Sequence, residues 1–436
     1  MTAAPSEPFR ALTGMRDVLP PEAGRRRALL AQFAAAAGRA GYAEVAVPVL
    51  EELGVFERLG EATDVVSKEM YHFTDQDGTE LALRPELTAG VVRAFVQHAP
   101  TLPWKVWVAG TAFRRERPQR GRYRMFDQVG VEVLGVDDPD LDVEVVALAW
   151  QVLADVGLRD VTLLVNSLGD HEDRARYTEA VRSYFEEVRG RLSEGEQDTL
   201  DRNPLRLLDA KRPELAPVIA RAPELSAYRS DESASHYERV LTGLRAVGVP
   251  YTEAPRLVRG LDYYRRTTFE LTSGAIDAAQ NALGGGGRYD RLAEELGGRP
   301  TDGIGFALGV DRVLLALEAE GVEGDTDPGL DAFVVDLTGG EAARDLTHEL
   351  RAAGLAADRR FGGGSMRSQM KHADRSGAAV ALIVGEDELQ SGEVTLRPLR
   401  GHGADGVEQH RVRRKALVAE LRALQAPAPR PGDGEH

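Results

Sequence analysis

The sequence predicts an α+β protein built on antiparallel strand pairs, and three observations lead there. Apolar, strand-like runs come in closely spaced pairs before residue 135. Charged helical stretches then dominate from about 170 to 245, which reads as a helical insertion. Beyond residue 330 strand and helix alternate, as in a small α/β domain.

Taken in order, PPEAGRRRALLAQFAAAAGRAG predicts a helix from Pro20 to about Gly41, with proline at its start and Leu29, Leu30, Phe33 and Ala34 at helical spacing. AEVAVPVLEEL reads as one strand followed by a helix. In MYHFTDQDGTELALR the Asp77 and Gly78 turn pair separates two β-rich runs, a hairpin by its turn chemistry. WKVWVAGTAF and MFDQVGVEVLG are two strands flanking an arginine-rich loop. After the insertion come the strand YYRRTTFEL, the glycine run at 284–287, and GIGFALGVDRVLLALEAEG, a strand leading into a helix. The expected domains are 1–325, carrying the insertion at about 170–245, and 331–425, an α/β unit. The linker GVEGDTDPGL lies between them, and APAPRPGDGEH (426–436) reads as a disordered tail.

A chain of 436 residues, 42% of them hydrophobic, has room for two or three cores. It contains no cysteine, which excludes disulfides, thiolate zinc sites and a cysteine nucleophile. No stretch approaches the ~20 apolar residues that cross a bilayer, and MTAAPSEPFRALTG lacks a signal-peptide pattern, so a soluble, cytoplasmic protein is expected. The net charge of −16 opposes phosphate binding in general. Its distribution matters more: residues 331–425 hold 14 basic and 14 acidic side chains, so the acidic excess lies upstream.

Against that background RRERPQRGRYR, from Arg114 to Arg124, carries six arginines and one glutamate. Planar guanidinium forks set between two strands suit bidentate grip on phosphates, although a charge run of this kind is as often plain solvated surface. Alternation along the next strand places Phe126, Gln128, Gly130 and Glu132 on one face.

The run FRRERPQRGRYRMFDQVGVEVLG resembles motif 2 of class II aminoacyl-tRNA synthetases, specifically of the histidyl-tRNA synthetase family. The resemblance implies that Arg114 holds the ATP α-phosphate, with Arg122 also at the nucleotide. It sets Glu116 on the adenine side and Phe126 against the adenine ring, while Arg117 and Gln119 approach the tRNA acceptor end. RPELT resembles the family element in which Glu86 and Thr88 position histidine and its amino group, with Leu87 standing where glycine is common. LVRGLDYYRRTTFEL resembles the signature peculiar to the histidyl family, implying Arg259 at the α-phosphate and Tyr263 and Tyr264 in the histidine pocket. GIGFALGVDRVLLALEA resembles motif 3, whose arginine, Arg312, grips the γ-phosphate; Asp311 replaces the usual glutamate. GGGGRYDRL resembles the pocket floor beside Tyr289, and GYAEVAVPVLEEL around Pro48 is a looser likeness to motif 1, the dimer-building segment.

The resemblance covers about residues 8–425. It implies a class II antiparallel sheet with flanking helices and a C-terminal anticodon-binding α/β domain. It further implies ATP and L-histidine as substrates, tRNA(His) as acceptor, Mg2+ alongside the pyrophosphate with no ligand residues specified, and a homodimer. The catalytic residues would be Arg114, Arg259 and Arg312, with Gln128 and Glu86 on the amino group and Glu132 and Tyr264 discriminating the imidazole. Two other readings compete with this one. A non-catalytic, synthetase-like regulatory subunit of ATP phosphoribosyltransferase typically lacks the distal domain and has eroded arginine motifs, whereas both are present here. A synthetase for another amino acid is opposed by GLDYY together with Gln128 and Glu132.

Overall fold

The computed structural model describes residues 9–58, 68–210, 212–257, 263–276, 281–322, 329–399 and 408–425. Arg259, most of the expected linker and the 426–436 tail lie outside the described residues. The chain divides into two compact units, 1–325 and 326–436.

In the first unit α1 (Glu22–Arg39) starts with an acidic and ends with a basic residue, each matched to the helix dipole, and buries Leu29, Phe33, Ala36 and Ala37. The segment expected as one strand is broken into β1 (Ala43–Glu44) and β2 (Leu50–Glu52), followed by α2 (Leu53–Glu57). Pro48 has no N–H for a ladder, and the buried Arg84 guanidinium donates to the carbonyls of Val47 (2.7 Å) and Pro48 (3.2 Å) that a sheet partner would otherwise use. The two halves therefore join different sheets.

β3 (Tyr71–Thr74) and β4 (Glu80–Leu83) form the expected hairpin; Gly78 takes φ +89° and Asp77 accepts from the Thr79 N–H at 2.9 Å. After α3 (Thr88–His98), strands β5 (Trp104–Phe113) and β6 (Met125–Leu134) pair antiparallel over their whole length, Trp104 opposite Leu134 and Phe113 opposite Met125. Then come α4 (Pro139–Asp155), capped by Asp138 with proline at its first position, and β7 (Val161–Ser167). The insertion is helical: α5 (His171–Glu186), α6 (Glu194–Arg202), α7 (Ala216–Ile219) and α8 (Asp231–Ala246). The unit closes with β8 (Thr252–Glu253), β9 (Arg265–Ser273), β10 (Ala282–Arg288), α9 (Leu292–Glu295), β11 (Gly303–Gly309) and α10 (Val310–Ala319).

Eight strands make one sheet in the order β1-β5-β6-β11-β10-β9-β7-β8, antiparallel except at its two edge pairs. The glycine run is thus strand β10 near its centre. Side chains at Gly284 and Gly286 would collide with the β11 backbone. A main core packs α1, α4, α8 and α10 against the sheet; a second contains Tyr263, Tyr264 and Tyr289 with residues of α3 and the insertion.

The second unit holds β12 (Ala332–Asp336), α11 (Glu341–Ala352), β13 (Ala357–Arg359), α12 (Met366–Arg375), β14 (Val380–Val384), α13 (Glu386–Ser391), β15 (Glu393–Pro398), β16 (His410–Arg413) and α14 (Leu417–Gln425). Its sheet runs β13-β12-β14-β15-β16, the first three parallel and the rest antiparallel. β12 and β14 are buried at every position, as parallel strands covered on both faces must be. Among the described residues no helix is long and apolar enough to cross a membrane.

Candidate active site

Strands β6, β9, β10 and β11 with the start of α3 surround a cleft of about 240 Å³ in the first unit. At the start of β6, Phe126, Asp127 and Gln128 all contribute to its wall, so alternation does not sort these three positions. Asp127 is buried and forms an ion pair with Arg26 of α1. Gln128 Oε1 is buried with no hydrogen-bond partner among the described residues, an acceptor that costs free energy until a donor arrives.

At the start of α3 the Glu86 carboxylate accepts from the N–H groups of Thr88 (2.6 Å) and Ala89 (2.8 Å), where the helix has donors to spare. Burial pushes the Glu86 carboxyl upward, and those donors oppose the shift. Thr88 Oγ1 donates to Glu132 Oε1 at 2.6 Å, and the Tyr289 hydroxyl donates to Glu132 Oε2. Glu132 is 2% exposed, and burial pushes its carboxyl up to about 8 against both hydroxyls. Gly305, opposite Glu132 in the ladder, leaves the room its carboxylate needs. Tyr263 packs against Tyr264 with rings tilted by 45° and 4.5 Å between centroids, and meets Tyr289 edge-on at 5.9 Å; burial raises Tyr263 and Tyr289 well above the ordinary phenol range.

Arginines share the same cleft. Arg114 donates from Nε to the Pro85 carbonyl at 2.9 Å, its guanidinium 5.5 Å from the Phe126 ring centroid. Arg312 donates to the carbonyls of Gly121 (3.2 Å) and Ala282 (2.8 Å), which aims its fork from helix α10. Glu116 and Arg122 form an ion pair across the base of the loop. Asp311 accepts from Arg16 at 2.8 Å. Asp127 and Asp311 themselves line the cleft, and Arg16 and Arg26 neutralise these two carboxylates, which keeps them from cancelling its arginines.

Of the sequence-predicted residues, Glu86, Thr88, Arg114, Glu116, Arg122, Phe126, Gln128, Tyr263, Tyr264 and Arg312 all line the cleft. Glu132 and Tyr289 sit one layer behind the wall and reach it through Thr88 and the tyrosine cluster. Arg117 and Gln119 are exposed on the β5–β6 loop, away from the cavity wall. Arg259 lies outside the described residues. Sequence reading missed Glu270, Tyr123 and Asp127, which also line the cleft. Glu270 was detectable as the lone carboxylate in TTFELTS; Tyr123 carried no signal beyond its basic neighbours.

The sequence model described as histidyl-tRNA synthetase matches residues 14–313, and an anticodon binding domain model matches 331–424. The chain belongs to the histidyl-tRNA synthetase family. It is 45% identical to a histidine–tRNA ligase of Corynebacterium jeikeium over 428 residues, 96% of this chain and 95% of that protein. Apo histidyl-tRNA synthetase from S. aureus superposes with a TM-score of 0.80 at 34% identity, covering 95% of this chain and all of that one. A Bacillus halodurans protein described as an ATP phosphoribosyltransferase regulatory subunit/histidyl-tRNA synthetase shares the fold, with a TM-score of 0.61 at 21% identity over 84% of this chain and 96% of that one. The α+β architecture is therefore that of a class II synthetase sheet with helical insertion and a C-terminal anticodon-binding domain.

Proposed function

We propose that the first unit activates L-histidine with ATP and transfers it to the 3′ end of tRNA(His), in the cytoplasm, with the second unit holding the anticodon. The observation that carries this reading is one cleft lined both by the cations Arg114 and Arg312 and by Glu86, two tyrosines and a Gln128 carbonyl that has no partner among the described residues.

The histidine carboxylate attacks the α-phosphorus in line, an O–P bond forms, and pyrophosphate leaves; the terminal ribose hydroxyl then takes the acyl group and AMP leaves. No protein nucleophile is needed. The protein supplies position and fixed positive charge where negative charge develops. Arg114, Arg312 and Arg259 are assigned that role, with Arg122, Glu116 and Phe126 at the nucleotide. Gln128 and Glu86 take the ammonium group, one as a carbonyl dipole and one as a carboxylate. The imidazole is met by Tyr264 and, through Thr88 and Tyr289, by the buried Glu132 network. Groups of this kind, left unpaired by a wrong side chain, discriminate by about 10⁴-fold or more.

Among the described residues no three imidazoles or carboxylates converge as a metal cage. A magnesium ion carried mainly by phosphate oxygens needs only one or two protein carboxylates, and Glu270 on the cleft wall fits that part. When bound, the ion neutralises charge on the β- and γ-phosphates. Arg117 and Gln119, exposed on the loop, are assigned to the acceptor end of the tRNA. Exposed Val49, Leu50 and Phe73, on or beside the three-stranded β2-β4-β3 sheet, offer an apolar face to a second copy, which sedimentation would register as a dimer.

Histidine-dependent exchange of label between pyrophosphate and ATP tests the activation step. Exchange with histidine alone among amino acids is expected; exchange driven equally by another amino acid, or none, overturns the assignment.

A further inference from the structure

The pocket tyrosines stand beside two arginines: the last helix of the insertion holds Arg266 directly, and it reaches Arg288 through Asp142 of α4. Arg288 immediately precedes Tyr289 and is fully buried. Its Nε lies 2.8 Å from Asp142 Oδ1, and its terminal nitrogens donate to the carbonyls of Val136 (3.3 Å) and Asp138 (3.1 Å). Asp142, also fully buried, uses its other oxygen for His236 Nε2 of α8 at 2.8 Å. A carboxylate facing a guanidinium only accepts, so His236 is the donor.

Arg266 follows Tyr264 by two residues and holds a left-handed backbone, φ +46°, which costs about 1 kcal/mol or more in a non-glycine residue. Two anchors fix it there: its N–H donates to Gly169 O at 2.8 Å, and its guanidinium reaches Glu232 of α8 at 3.0 Å and Asp137 at 2.9 Å. Asp137 also lies 3.6 Å from Arg288 Nη1, so both arginines share one corner. From that corner Tyr289 leads to Glu132, Thr88 and Glu86 at the cleft.

We propose that α8 clamps the amino-acid pocket: Glu232 and His236, acting through Arg266 and through Asp142 with Arg288, hold the two tyrosine segments in place and thereby set the affinity for histidine. The inference rests on the assignment of this pocket to histidine. It makes the insertion a positioning element of the activation site. Because coupling is reciprocal, histidine bound in the pocket tightens the seating of α8.

The test uses the full chain in histidine-dependent exchange, varying histidine and ATP separately. His236→Leu removes a hydrogen bond to a charged group and is expected to raise the KM for histidine about tenfold, leaving the KM for ATP within twofold. His236→Gln keeps an N–H donor and restores the histidine KM. Glu232→Ala, at an exposed pair, raises it about twofold and carries the test should His236→Leu fail to fold. Saturating histidine slows amide exchange in α8 of the unsubstituted protein and does so less in the variants. An unchanged histidine KM in these variants, or parallel rises for histidine and ATP, overturns the clamp. Absence of histidine-dependent exchange in the unsubstituted protein would instead remove the pocket assignment itself.

Discussion

Arg312 is held by two main-chain carbonyls, so its fork is placed before any phosphate arrives. Replacing it by alanine should lower kcat for exchange by about 10²–10³-fold, the usual scale for a preorganised group acting on developing charge, with little change in melting temperature. Arg259→His is expected to abolish exchange in a protein that still folds. Glu132 supports a different measurement. Its carboxyl is raised to about 8 from an ordinary 4.5, so its contribution to stability is full below the lower value and is lost as pH rises through the upper one. Urea unfolding between pH 5 and 8.5 should show stability falling by up to about 1.4 kcal/mol per pH unit from this group, and Glu132→Gln should flatten the fall. The types of these residues were legible in the sequence through their motif. That Glu132 lies behind the wall was not, because period-two alternation assigns a face and says nothing about what covers it.

Among the elements, the β3–β4 hairpin and the β5–β6 pair could be read locally, since turn chemistry and alternation act over a few residues. The division of the motif 1 segment between two sheets could not, because it depends on Arg84 arriving from β4's end and taking two carbonyls. Likewise the glycine run announced close approach without saying to what; β11 is the answer. Where Gly305 faces Glu132, a methyl group would run into the carboxylate and the Val131 carbonyl. Gly305→Ala should therefore cost about 1–3 kcal/mol by denaturant unfolding and raise the histidine KM, while a lower cost would show that the strand can shift.

For the whole molecule, deleting residues 331–436 is expected to reduce tRNA charging far more than exchange, because adenylate formation needs only the cleft of the first unit. Affinity for tRNA should fall steeply with added salt if the arginine loop and the second unit meet phosphates, and a flat response would count against that role. Sequence alone sufficed for the family, the α+β class, the order of most elements and the polar and aromatic residues Glu86, Thr88, Arg114, Glu116, Arg122, Phe126, Gln128, Tyr263, Tyr264 and Arg312 around the cleft. Those follow from local periodicity and from motifs whose chemistry is written in side-chain types. What packing alone settles is which residues touch the cavity and which support it, that Arg16 and Arg26 neutralise two carboxylates in its wall, and that α8 contacts Asp142, the partner of Arg288. These are contacts between segments roughly 100 or more positions apart, set by packing and burial, to which no local pattern is bound.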